Sequence, residues 1–131
     1  MKKAASFLSL LALFLGFFSG ISLCQQVDLS GTWVGETEVP DAFEPDKVTL
    51  VLEKINGEYK GTVTDSMGMA QEAELENLEI KGNELKANFI IFDGYEYTRI
   101  YFVLTVEGDK MKGSWESESG DSAPIELQRQ K

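Results

Sequence analysis

The sequence predicts an all-β protein, a single eight-stranded antiparallel up-and-down β-barrel. Apolar and polar residues alternate in several segments, for example at Val48, Leu50 and Leu52, and this alternation is typical of half-buried strands. Pairs that favour tight turns, such as Asn56-Gly57 and Gly82-Asn83, separate these segments. Eight antiparallel strands in sequence can lose their exposed edges by closing into a barrel.

The first 24 residues are set apart from this pattern. Lys2 and Lys3 begin the chain, an apolar run covers residues 7–18, and small residues precede Gln25. This three-part order is typical of a secretory signal peptide. We therefore expect residues 1–24 to be removed and residues 25–131 to form one domain that is secreted or periplasmic. Two alternatives stay open: an uncleaved membrane anchor, and a lipid attached to Cys24 that tethers the protein to the cell envelope.

The expected strands are joined by connections of two kinds. Residues 72–80 also fit a helix weakly, and we assign them as a strand because both neighbours are strands. Connections after the even-numbered strands are tight turns, whereas those after the odd-numbered strands are longer loops. The barrel should therefore have one tight end and one loop end. The expected strands are 31–39, 47–54, 58–64, 72–80, 84–92, 97–107, 110–117 and 122–129.

Gly31 and Trp33 begin the first expected strand, and Arg129 lies near the end of the last. Barrel closure makes these two strands neighbours, so we expect Trp33 to seal the floor at the tight end. The Arg129 guanidinium should stack on the indole through a cation–π contact.

This Gly-x-Trp motif followed by a late arginine resembles the lipocalin, or calycin, pattern. The resemblance implies a lipocalin-like β-barrel that carries a small hydrophobic molecule outside the cell; avidin-like proteins and protease inhibitors share the architecture. The chain departs from typical lipocalins because it has no room for a helix after the barrel and no disulfides. It looks more like a compact bacterial lipocalin-like domain.

A ligand of such a barrel should enter at the loop end. Aromatic and methionine side chains in the loops, with apolar residues on the inward parity below them, are the candidates. Arg99 falls on the outward parity, and we expect it to pair with Glu96. The candidate ligand-binding residues are Phe43, Met67, Met69, Phe89, Ile91, Tyr97, Phe102 and Trp115.

Charge and composition argue against other classes of function. The net charge of −10 disfavours nucleic acid as a partner. Histidine is absent, so the usual base of a nucleophilic enzyme is missing, and we expect neither catalysis nor a cofactor. The acidic residues Asp41, Glu44 and Asp46 do not follow the spacing of a known calcium loop, so we interpret them as solvated loop charge and expect no metal site.

Two functions remain open at this point. The first is a secreted, non-catalytic, lipocalin-like protein that binds a small hydrophobic or amphipathic ligand in the barrel. The alternative is a packed barrel whose loops bind a protein partner, as an inhibitor or as a component of the cell envelope. A cavity lined by Phe89, Phe102 and Trp115 would distinguish the first from the second.

Overall fold

The computed structural model describes residues 28–131, so the expected signal peptide and Cys24 lie outside the described residues. The described chain forms one antiparallel sheet in the order β4-β3-β2-β1-β9-β8-β7-β6-β5. It is an all-β, nearly closed barrel. The strands are β1 (Gly31–Thr37), β2 (Asp46–Ile55), β3 (Glu58–Asp65), β4 (Ala73–Glu74), β5 (Glu76–Lys81), β6 (Glu84–Phe92), β7 (Tyr97–Glu107), β8 (Lys110–Ser117) and β9 (Ser122–Arg129).

The predicted number of eight strands is wrong, because the fourth expected strand is divided in two. Its first part, β4, pairs with β3, and its second part, β5, pairs with β6. The register shifts between Glu76 and Glu79, and Asn77 in this interval has φ 53°. Such a bulge bends a strand and interrupts its pairing. Because β4 and β5 stand at opposite ends of the strand order, the barrel is nearly rather than completely closed.

The first and last strands pair as predicted, and they bring the floor residues together. Trp33 stands opposite Arg129 in the register of β1 and β9. Trp33 is 0% exposed, and its Nε1 donates a hydrogen bond to the Leu29 carbonyl over 3.0 Å. The Arg129 guanidinium carbon lies 4.3 Å from the centre of the indole ring. The expected cation–π contact is therefore present.

The hydrogen bonds of Arg129 hold it over the ring. Its Nη1 donates to the Ser30 carbonyl over 2.7 Å, its Nη2 to the Asp28 carbonyl over 3.0 Å, and its Nε to Asp109 Oδ1 over 3.1 Å. Gly31 lies beside this group with φ +131°, and a Cβ there would lie 3.4 Å from Nη1. Glycine before the tryptophan thus allows a backbone conformation that other residues rarely adopt.

The two ends of the barrel differ as the connections predict. At the tight end, Asn56, Gly57, Gly82 and Gly108 take positive φ in the short turns of the hairpins β2–β3, β5–β6 and β7–β8. At the other end lie the loops 38–45, 66–72, 93–96 and 118–121.

Close packing fills the barrel between its ends. In the described residues, the largest completely buried side chains are Trp33, Leu50, Leu52, Leu85, Leu104, Met111 and Leu127. The cavity among Leu50, Phe89, Phe102 and their neighbours measures only ≈ 20 Å³, about the space of one water molecule. The central interior is therefore a packed core, which stabilises the barrel by removing apolar surface from water. Trp115 does not line this small cavity, so Phe89, Phe102 and Trp115 do not share the cavity that a ligand inside the barrel would need.

Candidate functional site

A pocket of ≈ 160 Å³ opens at the loop end of the barrel, and we call it the mouth pocket. All four loops of that end contribute to its wall, and strand residues complete it from below. The lining residues are Thr37, Val39, Pro40, Asp46, Asp65, Met69, Ala70, Ile91, Asp93, Thr98, Ile100, Trp115, Ser117, Ser119 and Asp121.

Trp115 forms the aromatic part of this wall, and hydrogen bonds fix its position. Its Nε1 donates to Thr37 Oγ1 over 2.7 Å, and Thr37 Oγ1 in turn donates to the Pro124 carbonyl over 2.9 Å. Thr37 is itself buried. Because the polar atom of the indole already has a partner, the ring can present its apolar surface to a ligand without reorganising.

Two carboxyl groups from adjacent strands line the mouth pocket beside this apolar wall. Asp46, at the start of β2, is only 3% exposed. Its Oδ1 accepts hydrogen bonds from the Ser66 amide and hydroxyl and from the Met67 amide, all between 3.1 and 3.2 Å. Asp65 Oδ1 accepts from the Ala70 amide over 2.8 Å. Both carboxyl groups therefore hold the loop 66–72 in place.

The second oxygen of Asp65 is different. Asp65 Oδ2 is buried and has no hydrogen-bond partner within the described part of the chain when both carboxyl groups are ionised. Buried polar atoms in native proteins nearly always have a partner, and leaving one unsatisfied is costly. A protonated Asp46 carboxyl group can supply a donor to the Asp65 carboxyl group.

Burial raises the pKa of Asp46 from its ordinary 3.8 to about 6, with further contributions from a hydrogen bond to Asp65 and from the charge of that residue. The physical cause is that two adjacent carboxylates with little access to water resist carrying two negative charges. Asp93 at the rim shows the opposite shift, because the amides of Glu96 and Tyr95 stabilise its charge and lower its pKa.

The structure places the eight predicted ligand-binding residues in three different regions. Met69, Ile91 and Trp115 line the mouth pocket. Phe89 and Phe102 lie deeper, around the ≈ 20 Å³ cavity, with their rings edge to face at 5.6 Å. Exposed positions are held by Phe43, Met67 and Tyr97, and Tyr97 packs against Phe92 at 5.0 Å.

Arg99 points outward as predicted, but its expected partner is wrong. Its Nη1 lies 3.2 Å from Glu76 Oε2 and 2.6 Å from Asn88 Oδ1. These partners come from β5 and β6, the strands that follow β7 in the sheet order. Glu96, the nearer residue in sequence, instead uses its amide and carbonyl to bond Asp93 across the turn.

The interpretation of Asp46 as solvated loop charge is also wrong, and Asp65 was missed. A sequence signal for both was available. Asp46 has the same parity as Val48 and Leu50, and Asp65 has the same parity as Val63, so each continues the inward face of its strand. Asp46 begins β2 and Asp65 ends β3. Both therefore lie at the loop end of the barrel, where an inward carboxyl group can approach a pocket.

No family model, curated protein or solved structure matches the chain. The class of protein therefore rests on geometry: a nearly closed antiparallel barrel that is compatible with a calycin-like fold. Within residues 28–131 there is no helix long and apolar enough to cross a membrane. The same residues contain no group of three or more acidic, histidine or cysteine side chains placed to hold a metal ion.

Proposed function

We propose that the protein is a secreted, non-catalytic, lipocalin-like binder of small apolar or amphipathic molecules, which it holds in the mouth pocket. The observation that carries the proposal is a ≈ 160 Å³ pocket with a fixed tryptophan in its wall. An apolar cavity of about 150 Å³ in another protein accommodates benzene. The expected ligand is therefore a molecule with one ring, or a short chain of similar volume.

The size of the pocket limits the size of the ligand that it can hold. Sites for drug-sized ligands usually measure about 300–1,000 Å³, and the cavity among the deeper residues is only ≈ 20 Å³. A long acyl chain or a fused-ring ligand does not fit unless the core rearranges. Residues at the mouth, especially Trp115, Ile91 and Met69, are thus the proposed contacts, whereas Phe89 and Phe102 support them from below.

Titration of the ¹⁵N-labelled protein with benzyl alcohol tests this proposal by NMR. The protein has two tryptophans, so each indole N–H reports on one end of the barrel. We expect the Trp115 signal to shift in a saturable manner and the Trp33 signal to stay in place. Shifts confined to the Trp33 end, or no saturable shift, would contradict the proposal.

Two variants in which leucine replaces an alanine make this test specific for the pocket. Ala70 is buried and lines the pocket, so Ala70→Leu should fill part of it and abolish binding. Ala42 is exposed in the neighbouring loop, so Ala42→Leu adds the same atoms outside the pocket and should leave binding unchanged. Equal binding by both variants would place the ligand elsewhere.

Interaction with a protein is the second candidate function, and exposed aromatic residues favour it. Phe43 and Tyr95 lie in loops of the same end with exposed fractions of 105% and 96%, and aromatic residues are enriched at protein interfaces. A photo-crosslinking residue at position 43 should then form a discrete protein adduct in the native host. The same residue at Ile55, exposed at the tight end, should not.

A further inference from the structure

We propose that the outer face of β6 and β7 binds a basic amphipathic helix of a protein partner. The apolar side of that helix packs on exposed side chains of this face, and its lysines and arginines lie against the acidic residues around it. The proposal rests on the second candidate function, interaction with a protein, and does not depend on a ligand in the mouth pocket. We call this surface the β6–β7 face, and its exposed apolar side chains are Ile90, Phe92, Tyr97, Tyr101 and Val103.

Exposed apolar side chains are concentrated on this face. Of the nine large hydrophobic residues that are exposed in the described chain, five belong to the β6–β7 face and a sixth, Tyr95, lies in the turn that joins its strands. The register places Phe92 opposite Tyr97, and the centres of their rings are 5.0 Å apart. Single exposed hydrophobic residues are normal on a soluble protein, whereas a contiguous group marks an interaction site.

The dimensions of the face fit one helix. Val103 and Tyr97 are six residues apart on β7, which corresponds to about 20 Å of strand. A helix of about 13 residues has the same length. The face is two strands wide, or about 10 Å, and this is close to the diameter of a helix with its side chains.

The charges around the face favour a basic partner. Glu116 stands opposite Tyr101 in the register of β7 and β8, and Glu96 lies in the turn between β6 and β7. Arg99 lies among the exposed rings, but its charge is already paired, because Nη1 is 3.2 Å from Glu76 Oε2. Negative surface charge attracts partners of positive charge and repels those of negative charge. The four loops of this end contain no basic residue in the described chain, and their acidic residues are Glu38, Asp41, Glu44, Glu72, Asp93, Glu96, Glu118 and Asp121.

The same charges disfavour two other ways of covering an apolar face. In a symmetric dimer through this face, each copy would present the same acidic residues to the other, and the chain carries a net charge of −10. Anionic membrane surfaces would repel the face for the same reason. A basic helix instead matches both its apolar centre and its acidic surroundings.

Two synthetic peptides of about 14 residues test the inference. Both carry leucine at the positions of one helix face; the remaining positions are lysine in the first peptide and glutamate in the second. Fluorescence anisotropy of the labelled peptides measures their binding to the unmodified protein. We expect the lysine peptide to bind, its affinity to fall as salt is added, and the glutamate peptide not to bind. Equal binding of the two peptides, or no binding of the lysine peptide, would overturn the inference.

A matched pair of isoleucine variants locates the binding surface. Ile90 on the β6–β7 face and Ile55 at the tight end are exposed to a similar degree, 40% and 45%. Ile90→Thr should weaken binding of the lysine peptide about fivefold or more, and Ile55→Thr should leave it unchanged. Threonine keeps the β-branched shape that favours a strand. An equal loss in both variants would place the peptide elsewhere and would overturn the inference.

A second matched pair tests the charges. Glu116 borders the face, whereas Glu58 is exposed at the start of β3, at the tight end. Glu116→Gln should weaken binding of the lysine peptide about threefold, as expected for one exposed ion pair, and Glu58→Gln should not change it. Equal losses would indicate general attraction to an acidic protein and would contradict the proposed surface.

Benzyl alcohol binding separates this inference from the proposed small-molecule function. Ile90 is on the outer face, whereas its neighbour Ile91 lines the mouth pocket. Ile90→Thr should therefore bind benzyl alcohol as the unmodified protein does. If the lysine peptide binds at the β6–β7 face and benzyl alcohol does not bind, the inference stands and the small-molecule function fails.

Two measurements on the unmodified protein and Ile90→Thr test the other occupants. Sedimentation equilibrium should show a monomer for both proteins, and neither should bind vesicles of phosphatidylcholine. A dimer that Ile90→Thr abolishes would show that a second copy covers the face. Vesicle binding that Ile90→Thr abolishes would assign the face to a membrane. Either result would overturn the inference.

Discussion

The two ends of this barrel differ in how their polar groups are paired and in how much space they leave open. At the floor, a completely buried Trp33 is covered by Arg129, and each nitrogen of that guanidinium donates to an oxygen between 2.7 and 3.1 Å away. At the mouth, four loops surround a ≈ 160 Å³ pocket, and burial beside Asp65 raises the pKa of the Asp46 carboxyl group to about 6. The polar groups of the floor are paired by hydrogen bonds, whereas the mouth combines an open pocket with two adjacent carboxyl groups.

Stability is therefore expected to depend mainly on the floor, and binding mainly on the mouth. A cap with paired polar groups and full burial stabilises the folded chain by itself. A pocket with apolar surface exposed to water lets a ligand gain free energy by covering that surface. Substitutions at the floor should therefore change the free energy of unfolding, while substitutions at the mouth should change affinity or the response to pH.

The largest effect should come from Trp33→Ala. Truncating a completely buried tryptophan costs about 3–5 kcal/mol in the free energy of unfolding, and here the covering arginine also loses its aromatic partner. Urea unfolding of Trp33→Ala and Trp115→Ala measures the contrast, because Trp115 is only partly buried. If the two variants lose the same stability, the proposed division between floor and mouth is wrong.

Arg129→Ala should rank next, with a loss of about 2 kcal/mol from the charged hydrogen bonds and the cation–π contact. Arg129→Lys should recover only part of this, since an ammonium cannot reproduce the planar fork of three nitrogens. Lys131→Ala is the matched control, because its side chain is 81% exposed and near the same Asp109. A comparable loss in the control would argue against a specific role for Arg129.

The third prediction concerns pH and tests the mouth. Because the folded-state pKa of Asp46, about 6, is above its ordinary 3.8, the residue favours the folded protein at low pH, and this contribution disappears as pH rises from about 4 through 6. Asp46→Asn should flatten this part of the stability profile in urea unfolding between pH 4 and 7. Asp41→Asn, at an exposed position, should retain the slope of the unmodified protein; an unchanged slope in Asp46→Asn would disprove the assignment.

The smallest effect should come from the exposed aromatic residues of the loops. Phe43→Ser and Tyr95→Ser should each change the free energy of unfolding by less than about 0.5 kcal/mol, as is usual for surface positions. Thermal unfolding and benzyl alcohol binding, measured on the same samples, check this expectation. A large loss of stability would mean that these rings support the mouth, and would weaken the case for a protein partner there.

Local patterns predicted most of the fold. Alternation at Val48, Leu50 and Leu52 located a strand, and turn pairs such as Asn56-Gly57 located a hairpin, because these signals act over a few residues. The floor was also predicted, since an up-and-down order brings Trp33 to Arg129. The break between β4 and β5 was not, because it depends on how two distant strands divide the pairing of one short segment.

The candidate site was predicted only in part. Met69, Ile91 and Trp115 line the mouth pocket, but Phe43 and Tyr97 are exposed. The position of Phe43 in a loop does not reveal the direction of its side chain, whereas Tyr97 begins β7 and shares the outward parity of Arg99. Asp46 was grouped with its acidic neighbours Asp41 and Glu44 and interpreted as solvated loop charge. Its burial depends instead on Ser66 and Met67, which lie across the β2–β3 pair.

The amino-acid sequence was enough to predict an all-strand chain with one tight end, one loop end and a tryptophan near an arginine at the tight end. The physical reason is that side-chain alternation and turn chemistry are local. That the central interior is packed, and that a ≈ 160 Å³ pocket opens at the mouth, followed only from the tertiary structure. These properties depend on volumes and burial summed over residues from several strands, which no short stretch of the chain encodes.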